Sequence, residues 1–485
     1  MAKKSITKNY IYNLIYQVLV LILPLVTTPY ISRVLGAENI GIYSYTLSIV
    51  TYFILFGSLG VALYGQREIA YYQKDKKKYS IIFWEIVILR AITMTISLIL
   101  FYLIFVNGNQ YQIYYKILIL ELIGNCIDIS WFFQGLEEFK KTVIRSMIIK
   151  LISVISIFTF VKSQNDLKIY FWIYVLSTSI GNASLWLYLP KFLTKVKIKE
   201  LHLFRHLKPT LGLFIPQIAV QVYTVLDRTM IGAIISDKSE VGFYDQSQKI
   251  IKLLMTIITS LGTVMLPRIA NTFASGEKEK INNYMKRSFN MVFLLAFPMI
   301  FGIISVSKTF VPIFFGEGYD KVVILMNVIS PIILFIGLSN VTGTQYLLPT
   351  KRQKEYTISV IIGAITNFIM NACLIWKFGA IGASIGTVIA EFTVTAVQLY
   401  FVRNDFDFKQ IIKISKNYVI SSIAMFIVCI IMGSVVKSNM ISIIIQVIFG
   451  AGIYGVCLLA LKDEFVNSII KKVIHKNNIR KLEKI

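Results

Sequence analysis

The chain has 485 residues, of which 56% are hydrophobic and 15% charged, with a mean hydropathy of +0.68. That leaves too little polar surface for a soluble shell and excludes a water-soluble enzyme or binding domain. The net charge of +25 would suit nucleic acid, but the placement of the basic residues, described below, argues against that partner.

A bilayer core about 30 Å thick is crossed by about twenty apolar residues in a helix. Apolar segments of that length start near residues 10, 40, 80, 112, 142, 168, 209, 241, 289, 323, 356, 380, 417 and 440. The expected fold class is therefore an all-α polytopic membrane protein with about 14 transmembrane helices. The first span follows Lys3, Lys4 and Lys8, carries Gln17, and is interrupted by Pro24 and Pro29. It is too long for a cleavable signal peptide and lacks a small-residue cleavage site. Arg33 stands in the turn to the second span, after which come Lys74, Lys76, Lys77 and Lys78. Span three carries Arg90, Thr93 and Ser97, and span four Glu121, Asn125 and Asp128. Lys191, Lys195, Lys197 and Lys199 follow span six.

Span seven starts with Pro209 and Pro216 and sets Gln217, Gln221, Thr224 and Arg228 on one helical stripe, with Asp227 adjoining. Span eight does the same with Asp245, Lys249, Lys252, Thr256 and Thr259, and span twelve with Ser384, Thr387, Glu391, Thr395 and Gln398. At the positions matching Asp245, Lys249 and Lys252, span two has Ser44, Ser48 and Thr51. The second half thus supplies most of the charge.

If Met1 begins in the cytoplasm, most of the 50 Lys and Arg fall on that side, and the positive-inside rule places both termini there. The basic loops are read as topology signals that also lie against anionic lipid headgroups. Cys126, Cys373, Cys429 and Cys457 sit inside spans and form no disulfide or zinc pattern. His202, His206 and His475 lie in cytoplasmic loops and are expected to be solvated. No cofactor is implied, and without a Walker motif direct ATP hydrolysis has no support.

The stretch Arg33-Val-Leu-Gly-Ala-Glu-Asn-Ile-Gly41-Ile-Tyr43 is echoed by Asp227-Arg228 through Gly242-Phe-Tyr244, and Ser179-Ile-Gly181 by Ser384-Ile-Gly386. Such spacing predicts two bundles of the same orientation, related by an axis along the membrane normal. The expected division is an N-terminal six-helix lobe over 1–200, a second over 201–405, and two appended helices with a basic tail over 406–485. The prolines make the first helix of each lobe a candidate hinge, although membrane helices also tolerate proline without hinging.

A charge near the bilayer centre must face protein or a water-filled cavity. Arg33, Arg90, Arg228, Lys249 and Lys252 are candidates to hold an anion in a cationic cavity, since guanidinium and ammonium groups suit phosphate oxygens. Gln17, Gln217, Gln221 and Gln398 are its candidate polar lining. Pairing is the alternative, because Asp245 precedes Lys249 by one helical turn and Asp227 adjoins Arg228. Glu121, Asp128 and Glu391 are candidates to carry a coupling proton or sodium ion, or else to pair with Arg90 or Arg228.

Asp128-Ile-Ser-Trp131-Phe-Phe-Gln134-Gly135-Leu-Glu137 through Arg145, with Thr28-Pro29 through Gly36 and Gly41-Ile-Tyr43, resembles Wzx-type oligosaccharide flippases. That resemblance implies the fold of the multidrug, oligosaccharidyl-lipid and polysaccharide exporter superfamily, with two six-helix lobes in a V and alternating access. It implies an undecaprenyl-pyrophosphate-linked oligosaccharide as cargo in the bacterial cytoplasmic membrane, and polysaccharide polymerase and glycosyltransferases as candidate partners. A lipid II flippase and a cation-coupled multidrug antiporter share the fold and remain alternatives. A membrane polymerase would need a sizeable outer loop with catalytic residues, whereas the outer loops here are short, so no enzymatic activity is expected.

Overall fold

In a computed structural model, residues 6–435 and 439–471 are described, apart from the side chains of residues 6–14 and of a few positions in the seventh and eighth spans. Every element among the described residues is helical. The chain packs as two compact units, Met1–Gly242 and Phe243–Ile485. The first holds α1 (Ile6–Ser58), α2 (Val61–Tyr71), α3 (Lys76–Phe101), α4 (Gln112–Cys126), α5 (Ser130–Gly135), α6 (Phe139–Phe160), α7 (Leu167–Ser184) and α8 (Leu207–Ile234). Next comes α9 (Ser239–Ala274), which crosses into the second unit. There follow α10 (Lys278–Phe315), α11 (Asp320–Ile329), α12 (Ile332–Ser339), α13 (Gln353–Phe378), α14 (Ala380–Phe401), α15 (Phe408–Val435) and α16 (Met440–Ala460). α8 packs along α1 and falls within the first compact unit.

Eleven helical stretches among the described residues are long and apolar enough to cross a membrane. The first covers two of the expected spans, and α7 and α8 stand at the sixth and seventh expected positions. This is a multi-pass all-α membrane protein. Within α1 the departure from helical backbone is at Gly36 (φ 76°, ψ 169°), not at Pro24 or Pro29. That backbone is open essentially to glycine alone, so Gly36 makes the turn between the first two spans. Two stretches wind as π-helix, Tyr102–Val106 after α3 and Asn340–Leu347 after α12.

The turn after Gly36 is tied to the start of α7. Asn39 Nδ2 donates to the carbonyl of Gln164 at 2.9 Å, and the Tyr30 hydroxyl donates to that of Val161 at 2.7 Å. Ser163 and Asp166 form a capping box, in which the Asp166 carboxylate accepts from the amides of Lys162 and Ser163 and from the Ser163 hydroxyl. These bonds hold the Asp166 carboxyl below its usual value of 3.8. The sign follows: the cap's contribution is complete above the unfolded pKa and is lost as pH falls through the lowered folded value. Acidification below about pH 4 is therefore expected to speed amide exchange at Ser163 beyond the intrinsic change, and D166N to abolish that response.

Two apolar clusters fill the first unit. One joins α1, α3, α4, α6 and α7 around Phe101, Tyr115 and Phe171. The other joins α2, α3 and α5 with the segment after α7, around Phe83, Trp131, Phe132 and Phe133. The Trp131-Phe-Phe run is thus core packing: Trp131 stacks on Phe83 with ring centroids 5.8 Å apart and fills the space that a Cβ at Gly65 would take. His206 is the main departure from the sequence reading in this unit. It is buried rather than solvated. Its Nε2 lies 2.8 Å from Glu85 Oε2, and its Nδ1 lies 2.7 Å from the Tyr64 hydroxyl. Glu85, fully buried on α3, also accepts from the His202 amide at 2.6 Å and from Arg205 Nε and Nη2 at 3.1 and 2.5 Å. His202 is exposed, and His475 lies outside the described residues.

Candidate functional site

The first unit brings Arg90 and Asp128 together. Arg90 on α3 is buried, 5% exposed, and its Nη1 donates to the main-chain carbonyl of Asp128 at 2.7 Å. Asp128 stands in the break between α4 and α5, where its carboxylate accepts from the amide and hydroxyl of Ser130 at 2.9 and 3.1 Å. The cluster contains a second guanidinium that the sequence reading passed over. Arg145 on α6 donates through Nη1 to Asn182 Oδ1 on α7 at 3.1 Å, and Asn182 Nδ2 donates to the carbonyl of Gly124. Asp128 is the carboxylate that acts on both guanidiniums. Each keeps a buried Nε without a hydrogen-bond partner. Two guanidiniums therefore share one carboxylate whose oxygens already accept other hydrogen bonds, which leaves net positive charge and donors suited to an anion.

Glu121 lies on α4 one turn before Asn125 and is buried, with Asn125 Nδ2 donating to its Oε1 at 3.0 Å and the side chains of Tyr174 and Thr178 beside it. Gln17 and Arg33 are exposed on α1. Asp227 is buried and near Tyr52, and Arg228 is half-buried. Between α1 and α8, Ser48 Oγ lies 2.8 Å from Thr229 Oγ1, which donates to the Tyr52 hydroxyl. Gln221 is exposed and accepts from Thr224. The side chain of Gln217 lies outside the described residues.

In the second unit, Lys249 pairs with buried Asp245 at 2.8 Å, the i, i+4 ion pair that the sequence left as the alternative. Lys252 is exposed one turn on. Glu391 is buried on α14 near Tyr356. Gln398 is buried and consumed by packing, accepting from Thr342 at 2.6 Å and donating to Ser359 at 3.0 Å. Thr395 donates to the Phe335 carbonyl, as in the first unit Thr93 and Ser97 donate from α3 to the carbonyls of Gly57 and Phe53. The hydroxyls of spans three and twelve thus stitch helices together within the membrane.

This fold is that of the MOP superfamily of membrane transporters. Lipid II flippase MurJ in its inward closed conformation matches with a TM-score of 0.76 at 18% identity, covering 95% of this chain and all of that one. An outward-facing multidrug resistance MATE family transporter matches with a TM-score of 0.55 at 12% identity, covering 82% of this chain and 93% of that one. The chain belongs to the polysaccharide biosynthesis protein family, whose model matches residues 6–273, and a MatE model matches residues 213–373. Among relatives, a putative O-antigen transporter of Escherichia coli K12 is 28% identical over 83% of this chain and 98% of its own length. A probable low-salt glycan biosynthesis flippase, Agl15 of Haloferax volcanii, is 24% identical over 39% of this chain and 40% of its own.

Proposed function

We propose that the chain flips lipid-linked oligosaccharide repeat units, carried on undecaprenyl pyrophosphate, from the inner to the outer leaflet of the bacterial cytoplasmic membrane for surface polysaccharide assembly. The cluster of buried Arg90 and half-buried Arg145 around the single carboxylate of Asp128 carries the reading, because an excess of positive charge inside a membrane protein is expensive unless an anion uses it. Family membership and the O-antigen transporter relative support it. In this proposal six-helix lobes over 1–200 and 201–405 alternate access, with the helices of 406–485 appended and both termini cytoplasmic. The pyrophosphate engages the guanidiniums, joined within the first unit by Arg33 and Arg228 with Gln17 and Gln221 as polar contacts, and Lys252 is a candidate anion contact of the second unit. Glu121, Asp128 or Glu391 carries a coupling proton or sodium ion, with Asp227 and Asp245 as charge partners. The protein transports and does not catalyse, and it hands its cargo from glycosyltransferases inside to a polymerase outside.

Depletion in the native cell, with mass spectrometry of lipid-linked oligosaccharides and an impermeant probe of the outer leaflet, tests this. Complete repeat units confined to the inner leaflet are expected. Complete but unpolymerised units outside would sink the reading in favour of a polymerase. Arg145→Gln removes a charge-assisted donor worth about 1.5 to 3 kcal/mol and is expected to lower outer-leaflet appearance at least about tenfold. Arg145→Lys, which keeps the charge but loses the fork, should fall between.

A further inference from the structure

The segment between α7 and α8 has two unlike sides. Its inner side is stitched to the first part of α3. The Tyr79 hydroxyl donates to the carbonyl of Phe192 at 2.8 Å, the amide of Thr194 donates to Ser80 Oγ at 3.1 Å, and Lys77 pairs with Glu200 at 3.1 Å. The Glu85 cluster then fastens the far end through His202, Arg205 and His206. The segment is therefore a strap lying on one unit, not a loose linker.

Its outer side carries Leu187, Ile198 and Phe204, which are 81%, 86% and 75% exposed. Lysines 191, 195, 197 and 199 are interleaved with them and exposed. Exposed Tyr71 at the end of α2 and exposed Lys74, Lys76, Lys77 and Lys78 adjoin through the Lys77–Glu200 pair. The nearby carboxylates are already engaged: Asp75 accepts from the Lys78 amide, and Glu200 accepts from Lys77. Large apolar side chains facing outward among lysines are poorly matched to water alone. They match the boundary of an anionic bilayer, where apolar groups enter the acyl edge and lysines reach the headgroups. The strap joins two helices of a membrane protein, so it stands at the height where that boundary lies.

We propose that the strap Leu187–Phe204 is a membrane-surface anchor that reads anionic headgroups of the lipid leaflet, with Ile198 and Phe204 inserted and Lys195, Lys197 and Lys199 selecting negative charge. Its inner fastening on α3 makes this a fixed clamp between the leaflet and the first unit. The proposal is independent of the cargo.

The full-length protein in nanodiscs of phosphatidylcholine, alone or with about a third phosphatidylglycerol, provides the test by hydrogen exchange and mass spectrometry of peptides spanning 195–204. Exchange there is expected to be about tenfold slower with the anionic lipid, and the difference to shrink at high salt. The variant K195Q/K197Q/K199Q is expected to lose the lipid dependence, and I198S/F204S to exchange fast in both bilayers. Exchange of α3 peptides, held by Glu85, should stay unchanged in the lysine variant and so report an intact fold. Equal exchange in the two lipids would overturn the anchor, and so would lipid dependence that survives the triple substitution. Slowing that needs an added acidic soluble protein would assign the face to that protein instead.

Discussion

Replacing Gly41 by alanine is expected to destabilise the protein by more than about 2 kcal/mol, although alanine is the better helix former by about 1 kcal/mol. A Cβ at Gly41 would land on the carbonyl oxygen of Lys238, well inside van der Waals distance, and 3.0 Å from the amide nitrogen of Gly242. A Cβ at Gly242 would in turn strike the carbonyl of Ala37. The obstacle in each case is backbone, which cannot change rotamer, so the two segments would have to separate. The pairs correspond, 37 to 238 and 41 to 242, and the contacts are reciprocal, as a local twofold demands. Lys238 reinforces the spot by donating to the carbonyls of Gly232 and Ile235, both at 2.7 Å. Thermal melting of purified protein, followed by loss of the monodisperse peak, measures the effect. Gly452→Ala is the control, since a Cβ there meets nothing within 4 Å. Its melting point should be unchanged or raised. If Gly41→Ala melts like the control, the close crossing is not real.

The second large effect is expected at Glu85. Removing one member of a buried, hydrogen-bonded charge cluster costs about 3 to 5 kcal/mol, because its partners keep their desolvation penalty. Here the discount is partial. Arg205 is nearly half exposed and can turn to water, whereas His206 is not. Both ring nitrogens of His206 are engaged, Nε2 at 2.8 Å from Glu85 and Nδ1 at 2.7 Å from the Tyr64 hydroxyl. Glu85→Ala therefore leaves a buried imidazole and the His202 amide without an acceptor, and about 2 to 4 kcal/mol of destabilisation is expected. Glu85→Gln keeps one acceptor oxygen and should cost less than half of that. Melting of both variants, with proteolytic cleavage in the segment 191–205 as the local readout, checks this. Equal melting of Glu85→Ala and the unmodified protein would show that the cluster does not hold the strap.

What could be read in the sequence depended on whether the signal was local. Helical spans follow from runs of apolar residues, and the Asp245–Lys249 pair from a spacing of four. The reciprocal glycines were visible as the repeated motif, though their mutual contact was not, since a repeat says that two segments are alike and not that they touch. The Glu85–His206 contact joins residues 121 positions apart with no periodicity to announce it. Arg145 was missed for another reason. Its helix exposes Ile144, Ile148, Leu151, Ile152 and Ile155, so it reads as a lipid-facing span, and an arginine following Lys140 and Lys141 at its start looks like part of a topology signal. A lone arginine amid such a run was itself the available clue. Spacing puts the polar residues of spans three and twelve on stripes, but it cannot tell a face that meets water from one that meets a neighbouring carbonyl, as Thr93, Ser97 and Thr395 do.

The π-wound stretch Asn340–Leu347 has a bearing on how this chain tolerates change in length. In an α-helical span, losing one residue rotates everything beyond it by about 100°, which would turn buried side chains toward lipid. A π turn already holds a surplus residue, and reverting to α winding can absorb its loss. Among the described residues of the second unit, the tenth span is thus a place where a deletion need not scramble the helix that follows.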